Sequence, residues 1–230
     1  MTDKAEQEKT LAKISKCLSE HDFESALMMA DAFLKGGASG EQRSMALGYK
    51  GAALEEQHRV AEAITAYRES LAPGLDHENA PYISKRLAFL LFEIIFTSTE
   101  PLVRLQVEEV MKYSEAALKD SPDDPKLHHV LGLANLCLGN HLEALEFLKK
   151  NVELLGEKCG CSDYLNYANA LMGIETSASL EKAEELFKKA LPIAYAERNS
   201  PLAAYIESCI EMIRESGHCG QGMSFDVTLN

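Results

Sequence analysis

The stretch Pro125–Gly156, PKLHHVLGLANLCLGNHLEALEFLKKNVELLG, decides how the chain is read. Leu131, Gly132 and Asn135 recur at helical spacing in its first half, Gly139-Asn140 interrupts it, and Ala144, Leu148 and Asn151 recur at helical spacing in its second half. An apolar period of three to four residues on both sides of a Gly-Asn break is the pattern of two antiparallel helices joined by a tight turn. Small residues such as Gly132 and Ala144 let two backbones approach, and large ones at flanking positions fill the gaps. Asp124-Pro125 supplies the start signal, a capping carboxylate before a proline at the first helical position.

Working outward, Ser44–Leu71, SMALGYKGAALEEQHRVAEAITAYRESL, repeats the arrangement. Gly51 precedes Ala63 by the interval that separates Gly132 from Ala144, and Tyr67 and Ser70 follow as Leu148 and Asn151 do. Weaker copies are Ala26 with Ala30 and Phe33, Val110 with Ser114 and Ala117, and Ala183 with Phe187 and Ala190. The extra residues between copies fall in turn-like stretches, at Gly36–Gly40, Pro73–Pro81, Thr97–Pro101, Glu157–Cys161 and Gly173–Ser179. A repeat array tolerates insertions there. The expected fold is an all-α solenoid of about five antiparallel helix pairs, over 4–35, 41–71, 80–120, 124–155 and 161–196. A capping helix over 201–216 would begin at Ser200-Pro201 and lay Leu202, Tyr205, Ile206, Cys209, Ile210 and Ile213 on the last repeat. Residues 1–216 would make one solenoid domain, and the tail 217–230 would be disordered or lie along the cap.

Composition agrees with a folded domain: of 230 residues 46% are hydrophobic and 26% charged, with seven prolines and no Trp. The formal net charge of −13 repels phosphate backbones and anionic lipid, so neither nucleic acid nor a membrane surface is an expected partner. Cys17, Cys137, Cys159, Cys161, Cys209 and Cys219 are scattered through helical patterns, and no signal-peptide pattern opens the chain. Reduced thiols in the cytoplasm, with the nucleus as the alternative, are the expectation. The apolar run Leu87–Phe96 contains Glu93 and is far shorter than the ~20 residues of a membrane span, so it reads as a buried helix.

Leu131-Gly132, Asn135, Gly139-Asn140, Ala144 and Leu148, with Gly51, Leu54, Ala63, Tyr67 and Pro73 in the other copy, resemble the tetratricopeptide repeat over most of residues 7–196. The pattern departs at Lys50, where a large apolar residue is usual, and at Asn151 and Phe33, where a small one is. The resemblance is specific for fold and poor for function, because its signature positions are packing positions. It implies a non-enzymatic adaptor or scaffold that holds a peptide or helix of a partner protein in a concave groove lined by the first helix of each pair. Carried over position by position, that groove would present Tyr49 and Ala52, then Lys85, Arg86 and Phe89, then Lys126, His129, Val130 and Leu133, then Leu165, Asn166 and Asn169. Lys85 and Arg86 would read an acidic residue of the partner. The branch that grips chaperone carboxyl termini uses a Lys and an Asn in one repeat, an Asn in the next and a Lys with an Arg in a third. Lys85 fits one lysine position, but Phe89 and Val130 replace the asparagines and Ser162 and Asn166 the basic pair, so a chaperone tail is not an expected partner. A subunit built into a larger assembly, or a regulatory module of an enzyme on another chain, are the alternatives.

No catalytic residue, metal or cofactor is expected. Cys159-Gly160-Cys161 and His218-Cys219 are zinc-like pairs, but about a helix length of roughly 20 Å would separate them. His128 and His129 project about 100° apart on a helix and cannot share a metal. Gly36-Gly37-Ala38-Ser39-Gly40 lacks the Lys-Ser or Lys-Thr of a phosphate loop. Glu55-Glu56, Glu108-Glu109 and Glu184-Glu185 read as solvated helix faces.

Overall fold

The computed structural model describes residues 4–72, 77–98 and 103–218, which form eleven α-helices, one 3₁₀ turn and, among the described residues, no strand. The tail from residue 219, with Cys219, and most of the turns around Pro73 and Pro101 lie outside the described residues.

The chain divides into two compact units, residues 1–97 with 112–120 and residues 98–111 with 121–230. The first contains α1 (Lys4–Ser19), α2 (Phe23–Lys35), α3 (Gly40–Glu56), α4 (Val60–Ser70) and α5 (Ala80–Thr97). Each helix packs on the next, and α1 also meets α3, so α1–α2 and α3–α4 are successive pairs on which α5 follows. Gly51 is there because of Tyr67: a Cβ at Gly51 would lie 2.5 Å from the Tyr67 ring, and Tyr67 is wholly buried in the space thus left. The α3–α4 pair is closed at its far end by two serines, Ser70 Oγ donating to Ser44 O at 2.8 Å and Ser44 Oγ donating back to Ser70 O. Lys50, polar where an apolar side chain was usual, reaches α2 and donates to Asp31 at 2.7 Å.

The second unit contains α7 (Pro125–Cys137), α8 (His141–Leu155), α9 (Cys161–Met172), α10 (Ser177–Ala196) and α11 (Ser200–His218). α6 (Arg104–Leu118) contributes residues to both units and buries one helical face, Val107, Val110, Tyr113, Ser114 and Ala117. In the α7–α8 pair, a Cβ at Gly132 would lie 2.4 Å from Leu148 Cγ, the counterpart of Gly51 on Tyr67. Full burial of one such leucine stabilises by about 1.5–3 kcal/mol, which the glycine makes possible. α11 lies on α10 and buries Ala203, Ile206, Cys209, Ile210 and Ile213 with Ala183, Phe187 and Ala190, the capping arrangement expected from the apolar stripe.

The turns explain how pairs with dissimilar sequences share one geometry. Gly139 at φ 77° ends α7 in the left-handed region, and Asn140 N–H donates to Asn135 O at 2.9 Å. The same closure, a left-handed residue followed by an N–H reaching five residues back, recurs at His21 with Asp22→Cys17, at His58 with Arg59→Leu54, and at Arg198 with Asn199→Ala194. Glu175 between α9 and α10 is also left-handed, at φ 59°.

Candidate functional site: an apolar groove

In the first unit, side chains from α1, α3, the start of α2 and the start of α5 border a cleft of about 310 Å³. Leu18, Phe23, Met45, Tyr49, Ala52 and Tyr82 line it. Its floor is set by Gly48, where a Cβ would meet Ile83 Cδ1 at 2.3 Å; the missing side chain lets Ile83 sit close and keeps the floor low. Tyr82 is 57% exposed, a large aromatic surface left to solvent at the cleft edge. Apolar and aromatic side chains around a concave surface are what anchor residues of a peptide fill.

Of the residues expected to line a groove, Tyr49 borders this cleft, as does Ala52. Lys85 and Phe89 lie one and two turns further along α5, with the Lys85 ammonium 6.0 Å from the Phe89 ring centroid. Arg86 does not stand ready for a partner's carboxylate. Its guanidinium is committed to Glu55 of α3, with Nε donating at 3.1 Å and Nη2 donating to the other oxygen. Glu55 also accepts from Tyr67 Oη at 2.9 Å, and burial together with this carboxylate pushes the Tyr67 hydroxyl well above its ordinary range, keeping it a donor. Arg86 was expected to read a partner's acidic residue; the carboxylate it satisfies here belongs to α3 of the same chain.

In the second unit, Lys126 is exposed in the first turn of α7, and its backbone N–H is capped by Asp124 at 2.9 Å. His129, Leu133 and Asn166 are half-buried. Val130 must be corrected: it is 0% exposed, part of the α7 core, and cannot touch a ligand. Asn169, at 9% exposure, is likewise buried, 3.5 Å from the Tyr205 hydroxyl of α11. In both cases tertiary packing closes over a position that spacing alone left on the rim.

His129 Nδ1 lies 3.4 Å from Asp163 Oδ1, the oxygen that also accepts from Asn151 Nδ2 at 2.8 Å, while Asp163 Oδ2 accepts from the Gly160 N–H at 2.9 Å. Burial would raise the Asp163 carboxyl, but these donors outweigh it and hold it below the usual range. Asn151 thus ties α8 to the start of α9. His128 points elsewhere, its Nε2 donating to Pro122 O at 2.8 Å and its ring 5.9 Å from that of Phe147.

Cys159 and Cys161 are buried, and burial raises both thiols, which disfavours the thiolate that a nucleophile or metal ligand needs. Among the described residues no three His, Cys, Asp or Glu side chains converge as metal ligands, and no helix is long and apolar enough to cross a membrane.

Residues at the mouth of the cleft that sequence reading missed are Leu18, Phe23, Met45 and Tyr82. Tyr82 lies one turn before Lys85, and its spacing to the α5 core at Ile83 and Leu87 was a usable signal; α1 lacked any glycine landmark from which to set a register.

Known structures share this architecture. YrrB, a TPR protein described as having an unusual peptide-binding site, superposes with a TM-score of 0.64 at 18% identity, covering 86% of this chain and 90% of its own. MamA from residue 41 to its end, from Desulfovibrio magneticus RS-1, gives 0.55 at 19% identity over 84% and 96%. A tetratricopeptide repeat protein from Parabacteroides merdae gives 0.56 at 15% identity over 93% and 75%. No protein-family model and no curated protein sequence matches the chain. The fold is that of the tetratricopeptide-repeat proteins, all-helical and built from helix pairs.

Proposed function

We propose, on the premise of this tetratricopeptide-repeat fold, that the protein is a non-enzymatic cytoplasmic adaptor that holds a peptide or helix of a partner in the groove of α1, α3 and α5. The observation that carries the reading is the cleft bordered by Tyr49, Tyr82, Leu18 and Phe23, a concave apolar surface with two tyrosines at its edge. Tyrosine is favoured at binding surfaces because it offers a large contact area at low conformational entropy and a polar tip. That YrrB, of the same fold, carries a peptide-binding site supports the choice of a peptide.

A random-peptide phage library panned on the full chain tests it. Wild type should enrich a family of related peptides, and Tyr49→Ala with Tyr82→Ala should lose them while keeping the wild-type helical circular dichroism. Peptides that bind the double variant equally well would move the interface off this groove and favour a subunit or regulatory module acting through another face.

A further inference from the structure

The apolar cleft runs on into a charged one. Through Ser15, Met45 and Tyr49, which border both, it continues into a second cleft of about 470 Å³ bordered by Glu8, Glu41 and Glu78, and Glu56 borders the first. Against these four carboxylates stand Lys4, whose ammonium lies 3.8 Å from Glu8 with both side chains more than half exposed, and His21, edge-on to Phe23. Glu41, Glu56 and Glu78 make no ion pair among the described residues. Two cations of neighbouring helices are engaged with other carboxylates, Lys50 with Asp31 and Arg86 with Glu55. An acidic peptide would bring like charge to three uncompensated carboxylates, whereas a basic one would supply the counter-charge they lack.

We infer, resting on the groove reading above, that the occupant is a peptide with an apolar side chain seated between Tyr49 and Tyr82 and lysine or arginine facing Glu41 and Glu78. This reverses the acidic ligand implied by Lys85 and Arg86. Apolar contact supplies most of the affinity, because exposed ion pairs contribute little singly. Charge decides which apolar peptide is accepted and how fast it arrives, through a field that salt screens within about 10 Å at 0.1 M.

The peptides enriched from the library on the full chain are sequenced, and their affinities measured by fluorescence polarisation against wild type and Glu41→Gln with Glu78→Gln. Neutral glutamine keeps the helical propensity at Glu41, in the first turn of α3, and nearly the same size at Glu78, in the turn before α5. The inference expects lysine or arginine beside an apolar residue in the enriched set, roughly tenfold weaker binding when those basic residues become glutamate, several-fold weaker binding to the Glu41/Glu78 variant, and weakening as salt rises from ~0.05 to ~0.5 M. Neutral or acidic peptides that need Tyr49 and Tyr82 but ignore the Glu41/Glu78 variant would overturn the charge inference and leave the groove standing. Peptides indifferent to Tyr49 and Tyr82, or no enrichment at all, would overturn the groove reading and this inference with it.

Discussion

Gly132 and His58 show how one residue sets the spacing of a helix pair or the angle of a turn. A methyl group at Gly132 would lie 2.4 Å from Leu148 Cγ, in a core with no slack. Alanine is the better helix former by about 1 kcal/mol, so Gly132→Ala in an open helix would stabilise. Here overpacking wins, and the substitution should lower stability by about 1–3 kcal/mol in urea denaturation, a loss much reduced in the Leu148→Ala background where the space exists. His58 is exposed at φ 59°, a conformation costing an L-residue about 1–2 kcal/mol. His58→Gly should therefore raise stability, by about 1 kcal/mol in the same assay. Asp163 gives a pH signature. Its carboxyl is held below the ordinary value of 3.8 in the folded chain, so its contribution is present in full above that value and lost as pH falls through the folded one. The stability gap between wild type and Asp163→Ala, about 1–3 kcal/mol at pH 7, should close as the pH is lowered from about 5 toward 2 in denaturation series. Gly51, Gly132 and Asn151 were legible in the sequence because each sits at a repeating interval. The partner of Asn151 was not, because Asp163 belongs to the next helix pair and no interval links them.

Among the helices, α11 has the clearest task. Its apolar stripe was readable from the period of Leu202, Ile206, Cys209, Ile210 and Ile213, and Ser200-Pro201 marked its start. It covers the face of α10 that a further repeat would otherwise have covered, burying Ile206 completely against Phe187 and its neighbours. Ile206→Ala should cost about 2–4 kcal/mol in thermal or urea denaturation. Arg214→Ala, which removes the exposed 2.8 Å contact to Glu184, should cost well under 1 kcal/mol in the same experiment. The turns between helices were read less well. Gly139-Asn140 announced itself, whereas the equivalent turns at His21, His58 and Arg198 place ordinary residues in the left-handed region. There the apolar contacts on either side override local preference, so no local signal existed to be read.

At the scale of the molecule, a repeat array gains its core from neighbours, and each of the two units holds its own apolar centre. The cysteines report on this. Cys161 and Cys209 are buried in the second unit with thiols raised by burial, while Cys17 in the first is partly exposed. A thiol reagent at neutral pH should label Cys17 readily, and label Cys161 and Cys209 only when denaturant opens α9–α11, as mapped by peptide mass spectrometry. The sequence by itself determined the all-helical class, the pairing of α3 with α4 and α7 with α8, and the cap, because glycine–large-residue pairs and apolar periods are local or repeat at fixed intervals. Only the tertiary structure decided the groove. It buried Val130 in the core, tied Arg86 to Glu55, and brought Leu18, Tyr49 and Tyr82 from three helices to one cleft edged with carboxylates. A binding surface is assembled from residues far apart in sequence, and their meeting follows from how whole helices stack rather than from any spacing along the chain.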